Sequence, residues 1–563
     1  MGKVQKDYYC SKIVSRFGIR ILITCLLVLL AFSLLGCEQL EQYFPLLEQI
    51  IDRFGGDDED SGVVVETPGE TGDPSEPVEE AGNDLNGIEN GVQQQDPLLV
   101  PDIYSTIQAA IDASWHGDVI IVRPGTYEEN IDFKGRNITL QSTDPENPAV
   151  AAQTIIDGQG LGPVVSFGGG QSRETKLLGF TITGGDAGTS SGGGIRISGN
   201  AAPQIKFNVI TDNQARYGAG AFVEGESKPV FENNIFYANT ANRRRGAGIY
   251  VVGQSEVIIK NNVFRDHVGG DGVIYIYDNS SVEITGNTII NNSTDFGVGG
   301  IKVELESTAL ITGNTITGNT GTGDHYGGAI SIHRNSQADI INNTISDNKG
   351  KQVGAVCIYR YSEATINGNT ITGNEAGSEG DIYGVGGGIM ISYYCNVDIT
   401  GNTITNNKAW NNNQSGGGIA VHGWGQENTV TISENVINNN HGYRWGGGIF
   451  ASGGETAVLI KDNSIENNRV GDHWLADGGG IYLRGGVKAT IYDNAISNNW
   501  AEHKAGGIYV SRDTLVFGKN SIPWTRDCCP PGSEPDNIYE GNAHGHHRCT
   551  SIDIFFLENY PCY

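Results

Sequence analysis

The sequence predicts an all-β chain, a parallel β-helix solenoid of about 14 coils with an N-terminal cap helix and a disulfide-containing C-terminal cap. Three observations carry this. One phrase returns twelve times, at its plainest in Gly386-Gly387-Gly388-Ile389-Met390-Ile391 followed by Asp398-Ile399-Thr400-Gly401-Asn402-Thr403-Ile404. Its anchors, from Ile195 through Ile389 to Ile508, recur every 25 to 33 residues, which is a solenoid period. Within each unit the apolar residues alternate with period two, so the element is a strand. One such unit cannot bury its own apolar face, whereas stacked copies share a continuous core.

The elements follow in order. Residues 1–36 read as a signal peptide, with a basic stretch (Lys3, Lys6, Lys12, Arg16, Arg20) and an apolar run from Ile21 to Leu35 that is short for a bilayer span. It ends Leu34-Leu35-Gly36-Cys37, which resembles a bacterial lipobox. The resemblance implies cleavage before Cys37, lipidation of that thiol, and a chain exported and lipid-anchored to the cell membrane or outer surface. Residues 37–97 hold a short apolar-periodic stretch, Glu38 to Phe54, and then a Gly-, Asp-, Glu- and Pro-rich tether. Between Cys37 and Asp96 there are 17 acidic residues against one Arg. The formal charge of the whole chain is −29. Such a surface excludes nucleic acid as a partner and disfavours anionic polymers bound by charge alone.

Residues 98–522 form the β-helix. Ser105 to Ala113 fits an amphipathic cap helix, with Ser105 at the N-cap and Gln108 three residues later as a capping box. Val119 to Val122, Ile138 to Leu140 and Phe180 to Ile182 are strands of irregular early coils. Each regular coil then carries a strand after the glycines (Ile481-Tyr482-Leu483), a second (Ala489-Thr490-Ile491) and a short third at the Asn-Thr-Ile position. The Asn that recurs there, from Asn208 to Asn520, suits a left-handed corner and a hydrogen-bonded ladder along the stack. Its role is structural. Residues 523–563 leave the repeat and hold Cys528, Cys529, Cys549 and Cys562, enough for two disulfides in an oxidising compartment. His544, His546 and His547 beside Cys549 match no common zinc spacing, and no metal site is assigned.

Chemistry belongs on the outward side. If Ile389 faces inward, the next residue of each coil faces out: Tyr250, Tyr275, Lys302, Met390, Phe450, Tyr482 and Tyr509 among them. Two readings fit this series, a sugar-stacking surface and an aromatic ladder that stabilises the sheet. The longest repeat intervals fall between Val356 and Ile481 and carry Trp410, then Tyr443, Arg444 and Trp445, then Asp472, His473, Trp474 and Asp477, followed by Trp500, Glu502 and Lys504. Stacked coils set these loops one above another on one edge, the usual home of function on a rigid scaffold. The expected substrate-binding residues are Tyr250, Tyr275, Trp410, Tyr443, Trp445, Phe450, Trp474, Tyr482 and Trp500. The expected catalytic residues are Arg444, His473, Asp477, Glu502 and Lys504. A lyase would need a base and a cation to neutralise a substrate carboxylate, and Ca²⁺ could be held by Asp472 and Asp477. A glycosidase would need a carboxylate pair such as Asp477 and Glu502.

From about Val100 to Pro523 the chain resembles the pectin lyase-like superfamily of right-handed parallel β-helices. Ser105-Thr106-Ile107-Gln108, Gly117-Asp118 and Pro124-Gly125-Thr126-Tyr127-Glu128-Glu129 carry the resemblance. The catalytic motifs of the pectin methylesterases, polygalacturonases and pectate lyases do not carry over, so the resemblance implies the fold and leaves the chemistry open. Gly327-Gly328-Ala329-Ile330 and Phe231-Glu232-Asn233-Asn234 also resemble the short repeats of chlamydial polymorphic outer-membrane adhesins. The expectation is a monomeric surface lipoprotein that binds, and in one version processes, a polysaccharide or cell-surface glycan. The alternative is a non-catalytic adhesin or structural rod.

Overall fold

The structure is a computed structural model that describes residues 96–563, except 324–326, 379–383, 411–414, 424–426, 472–474, 512–513, 518–536, 541–542, 545–553 and 557–563. The signal peptide, Cys37, nearly all of the tether, His473, Trp474 and the four C-terminal cysteines lie outside the described residues.

Every strand-to-strand pairing is parallel and joins one coil to the next. Three long sheets of 15, 16 and 15 strands result, close to the number of coils expected. We call the sheet built from the strands after the glycine runs (Ile389–Ser392 and its equivalents) sheet 1. Sheet 2 holds the strand that follows in each coil (Asn396–Thr400), and sheet 3 the short Asn-Thr-Ile strand (Thr403–Thr405). A fourth sheet of nine very short strands, Lys408–Ala409 among them, runs between sheet 3 and the glycine corner.

Isoleucines and valines fill the interior in columns one coil apart. Ile389, Ile399 and Ile404 of one coil lie over Val356, Ile366 and Ile371 of the coil before, all fully buried. Each such side chain contributes roughly 1.5–3 kcal/mol on burial.

The corners hold the coils in register. Asn208, Asn234, Asn262, Asn287, Asn314, Asn343, Asn369, Asn402, Asn435, Asn463 and Asn494 form a buried ladder in which each Oδ1 accepts from the amide of the Asn one coil earlier, as in Asn369 Nδ2 to Asn402 Oδ1 at 2.9 Å. The left-handed residue is not the ladder Asn but its predecessor, for example Asn233 (φ 56°), Asn342 (φ 54°) and Gly401 (φ 66°). The Asn is thereby left free to turn its amide inward.

A second ladder lies five residues on: Asn213, Asn239, Asn292, Asn319, Asn348, Asn374, Asn407, Asn440, Asn468 and Asn499. Its one break is His267, whose Nδ1 lies 3.2 Å from the donating backbone N–H of Asn239. The third corner uses serines (Ser255, Ser280, Ser307, Ser336), and Cys395 stands in that column with its thiol donating to the Ser392 carbonyl at 3.1 Å. Cys395 and Cys357 are both buried and are not joined to each other, as their different repeat phases predict.

The N-terminal cap helix, α1 (Ile107–Ala113), starts one residue later than the capping box requires. Thr106 is the N-cap and accepts from Ala109 N at 3.1 Å. Glu129 replaces the box: its two carboxylate oxygens accept from Ile107 N and Gln108 N at 2.8 and 2.9 Å. A carboxylate there satisfies two orphan amides and complements the helix dipole. At the far end, Asn537–Glu540, Ala543–His544 and Ile554–Phe556 extend sheets 3, 4 and 1 by one strand each.

Candidate ligand-binding face

The outward residues of sheet 1 stack in two straight columns. Tyr250, Tyr275, Lys302, Ser331, Cys357, Met390, Ala420, Phe450, Tyr482 and Tyr509 make the first. Tyr277, Glu304, His333, Tyr359, Ser392, His422, Ser452 and Arg484 make the second.

Alternation with period two points these side chains to solvent, and here the structure corrects the sequence. Tyr250 is 4% exposed, Tyr275 and Phe450 0%, and Tyr482 6%. They face away from the main core but are roofed by the residues just ahead of each glycine run. Trp445, Asp477 and Lys504 pair in register across three coils, and the Trp445 indole lies 5.4 Å from Tyr482 and 6.2 Å from Phe450. Two guanidiniums flank Trp445 in turn, Arg444 at 4.3 Å and Arg484 at 4.4 Å. Trp445 is itself buried. With Tyr482 and Tyr509 stacked at 4.7 Å and 4° between planes, the packing is that of an aromatic ladder under a roof. His422, sealed beneath it against Phe450, is pushed down to about 3, first by burial and then by Arg484.

At the N-terminal end of the same face lies a buried ionic cluster, built around Lys302, which the alternation had placed in solvent. Lys302, 1% exposed at its side chain, contacts Asp271 at 2.6 Å and Glu304 at 3.3 Å. Glu304 also accepts from Arg334 at 3.0 Å and from the Tyr275 hydroxyl. Burial opposes its charge, but Lys302, Tyr275 and Arg334 together hold its carboxyl below the usual range. Arg245 lies over the rings of Tyr275 and Tyr277. Its ions are matched, and it reads as a strut between sheet 1 and its roof.

The open part of the candidate site is the ledge made by sheet 4. Its strands put Lys349, Glu375, Lys408, His441, Arg469 and Trp500 in one outward column. Trp410 and Tyr443 follow the strands of two neighbouring coils, with ring centroids 6.2 Å apart. All three rings are partly exposed. Cations and a carboxylate hold the two tryptophans: Lys408 Nζ sits 3.6 Å from the Trp410 ring, Glu375 accepts from Trp410 Nε1 at 2.7 Å, and Arg469 lies 4.7 Å over Trp500. Gly471 makes room for the last, since a Cβ there would meet Trp500 at 2.9 Å.

Of the expected catalytic residues, the structure brings Asp477 and Lys504 side by side and leaves Arg444 on the Trp445 roof. Asp477 is 6% exposed and binds His503 Nδ1 at 2.8 Å. Burial raises its pKa against the opposing pull of His503 and Lys504. Glu502 donates its backbone N–H to Val470 and lies on the ledge. Among the described residues no group of three His, Cys, Asp or Glu is arranged to hold a metal ion.

The family model described as "Right handed beta helix region" matches residues 154–299, 245–380, 274–469 and 443–528. Among solved structures, PfbA, a surface adhesin of Streptococcus pneumoniae, is similar at 15% identity over 75% of this chain and 88% of that one, with a TM-score of 0.26. A score that low carries no argument here. No curated protein matches the chain.

Proposed function

We propose, for a chain that belongs to the right-handed β-helix family, that it is a surface-displayed polysaccharide-binding rod which grips its ligand along the sheet 4 ledge. The observation that supports this is the run of partly exposed Trp410, Tyr443 and Trp500 on one edge, with a cation over each of the two tryptophans. A ring with an apolar face and a polar surround is what a sugar needs, because the pyranose C–H face stacks while its hydroxyls hydrogen-bond. Rigid stacking of coils fixes the ring spacing, so little entropy is lost on binding.

The reading is one of binding rather than bond cleavage. Asp477 commits its carboxylate to His503 inside the roof, which leaves the Asp477–Glu502 pair poorly suited to glycosidase work. Arg444, Glu502 and Lys504 then serve as contact or positioning residues, and Ca²⁺ enters only as a bridge to an acidic ligand. Lipid on Cys37 tethers the rod to its membrane in this account, with residues 55–97 as the spacer. The structural-rod alternative is favoured by the burial of Phe450, Tyr482 and Trp445, which takes their rings out of reach of any ligand.

The test is a polysaccharide panel titrated onto the full-length chain with and without Ca²⁺, with absorbance of unsaturated products read in parallel. Binding that falls at least tenfold in Trp410→Ala/Trp500→Ala at unchanged Tm supports the ledge. Absence of binding to every polysaccharide sinks it and leaves the rod. Product that disappears in Arg444→Ala/Lys504→Ala makes the chain an enzyme instead.

A further inference from the structure

We infer that the chain carries a second carbohydrate subsite, away from the ledge, where the corner between sheets 1 and 2 meets an open groove on the outer face of sheet 2. The inference rests on the polysaccharide-binding reading and deepens it, because it names a ligand class: a neutral pyranose polymer.

The starting point is backbone strain. Most corners between these sheets use two consecutive residues in the left-handed region, such as Asp278 and Asn279 (φ 58° and 55°) or Gly485 and Gly486 (φ 65° and 81°). Gly, Asn and Asp take this conformation cheaply, and a bulky side chain there is an outlier. Yet two neighbouring coils place aromatic rings in it: Tyr361 (φ 59°) in one, and Tyr393 and Tyr394 (φ 66° and 59°) in the next. The Tyr361 N–H donates to the Tyr393 carbonyl at 2.9 Å, so the corners are in register.

Tyr393 has a packing role, edge-on to Tyr359 at 4.9 Å. Tyr361 and Tyr394 do not. They are 59% and 43% exposed, and their rings stack on each other with centroids 4.9 Å apart and planes within 5°. At the same corner position other coils have Asn279, Glu306 and Asn335. A strained position filled by an exposed aromatic, when the same chain fills it with Asn elsewhere, points to a ligand rather than to stability.

Two residues beyond the pair lie Glu363 and Asn396, adjacent strand partners that line an open groove of about 410 Å³. The stacked tyrosines thus stand at the mouth of a groove whose lining includes Gln337, Asp339, Glu363, Asn396 and Asp398. Four carboxylates (Glu283, Asp339, Glu363, Asp398) and no Lys, Arg or His face it. Amide and carboxylate oxygens accept well from sugar hydroxyls, while a uronate chain would meet repulsion at four of the five coils that line the groove. The tyrosine platform supplies the stacking face and the groove supplies the acceptors.

The test is affinity electrophoresis of the full-length chain in gels holding a neutral probe (galactomannan or mixed-linked glucan) or an anionic one (polygalacturonate). Tyr361→Asn/Tyr394→Asn copies the chain's own solution at Asn279 and Asn335, so the fold is expected to keep or raise its Tm. Affinity for the neutral probe is expected to fall at least tenfold. Glu363→Gln/Asp398→Asn should keep the neutral probe and weaken discrimination against polygalacturonate. An unchanged neutral-probe affinity in the tyrosine variant overturns the subsite. So does a lower Tm in that variant, which would make the rings packing elements. If Trp410→Ala/Trp500→Ala abolishes binding while the tyrosine variant abolishes none, the subsite fails and the ledge stands. If the wild-type chain binds neither probe nor any other polysaccharide, both fail together.

Discussion

At the scale of the residue, His267 shows how tightly the corners constrain chemistry. It occupies an Asn slot in the second ladder, wholly buried, with its Nε2 lacking a partner among the described residues. Burial pushes the imidazole down to about 4, from an ordinary value of 6.5. The folded state therefore takes up the proton later than the unfolded chain does. Between about pH 6.5 and 4 the unfolded state holds more protons, and stability falls as the pH falls. The full effect is about 3 kcal/mol at the acid end. His422 adds to the same lability. His267→Asn restores an amide between Asn239 and Asn292. The expected outcome is a shallower loss of stability from pH 6.5 to 4, measured by urea unfolding at several pH values, with the wild-type slope retained in a distant surface variant. Lys302 is a second such position. Replacing it by Met leaves Asp271 and Glu304 facing each other without their shared cation, which is expected to cost about 3–5 kcal/mol. A thermal shift close to zero for Lys302→Met would show that the cluster is not the strut described above.

At the scale of the element, the ladders do what single strands cannot. Strands of three to five residues are marginal alone, and the corners fix where each begins. Asn369 donates to Ile340 O and Asn402 Oδ1 and accepts from Asn343. Asn369→Ala strips partners from several buried groups at once and is expected to cost at least about 3 kcal/mol, read as a lower urea midpoint at unchanged m-value. Thr370→Ala, one residue on and exposed, is the control and should cost well under 1 kcal/mol.

How much of this was legible follows from what a repeat encodes. Alternation at Ile389 and Ile391, and at Ile399, states which side chains point inward, so strands, order and the first ladder could be read directly. The second ladder was legible too, in the Asn-x4-Asn spacing of Asn314/Asn319 or Asn402/Asn407, but one Asn column had already accounted for the corner. The roof was not legible. Period two says that Phe450 and Tyr482 leave the core, and nothing in it says that Trp445, thirty-odd residues of coil away from its partner Asp477, folds back over them. The ledge was half legible, because loop lengths placed Trp410, Tyr443 and Trp500 on one edge, while the cation over Trp500 is Arg469 of the coil before, a pairing that only the coil register reveals. Tyr361 and Tyr394 gave no sequence signal, since a left-handed backbone is invisible when its occupant is not Gly or Asn.

At the scale of the whole molecule, a parallel β-helix is a one-dimensional stack, and its stability is close to a sum over coils and their interfaces. Each column then needs an occupant of the right kind, not a particular neighbour. Removing residues 233–260 joins Glu232 to Asn261 and tests this directly. The corner residue Asn233 (φ 56°) is replaced by Asn261 (φ 54°), its equivalent. Asn262 takes the place of Asn234 beside Asn208, Phe264 that of Phe236, and Tyr275 that of Tyr250, because these pairs already face each other in register. The shortened chain is expected to fold with an unchanged β-sheet circular dichroism spectrum and a cooperative urea transition. Its scattering profile should show a rod shorter by one strand spacing, roughly 4.8 Å. Removing only residues 233–246 supplies the contrast: it leaves half a coil, puts ladder positions opposite strand positions, and should not yield a cooperative fold. If the whole-coil deletion also loses cooperativity, the coils are not interchangeable units, and stability must instead depend on particular long-range partners such as Arg245 over Tyr275.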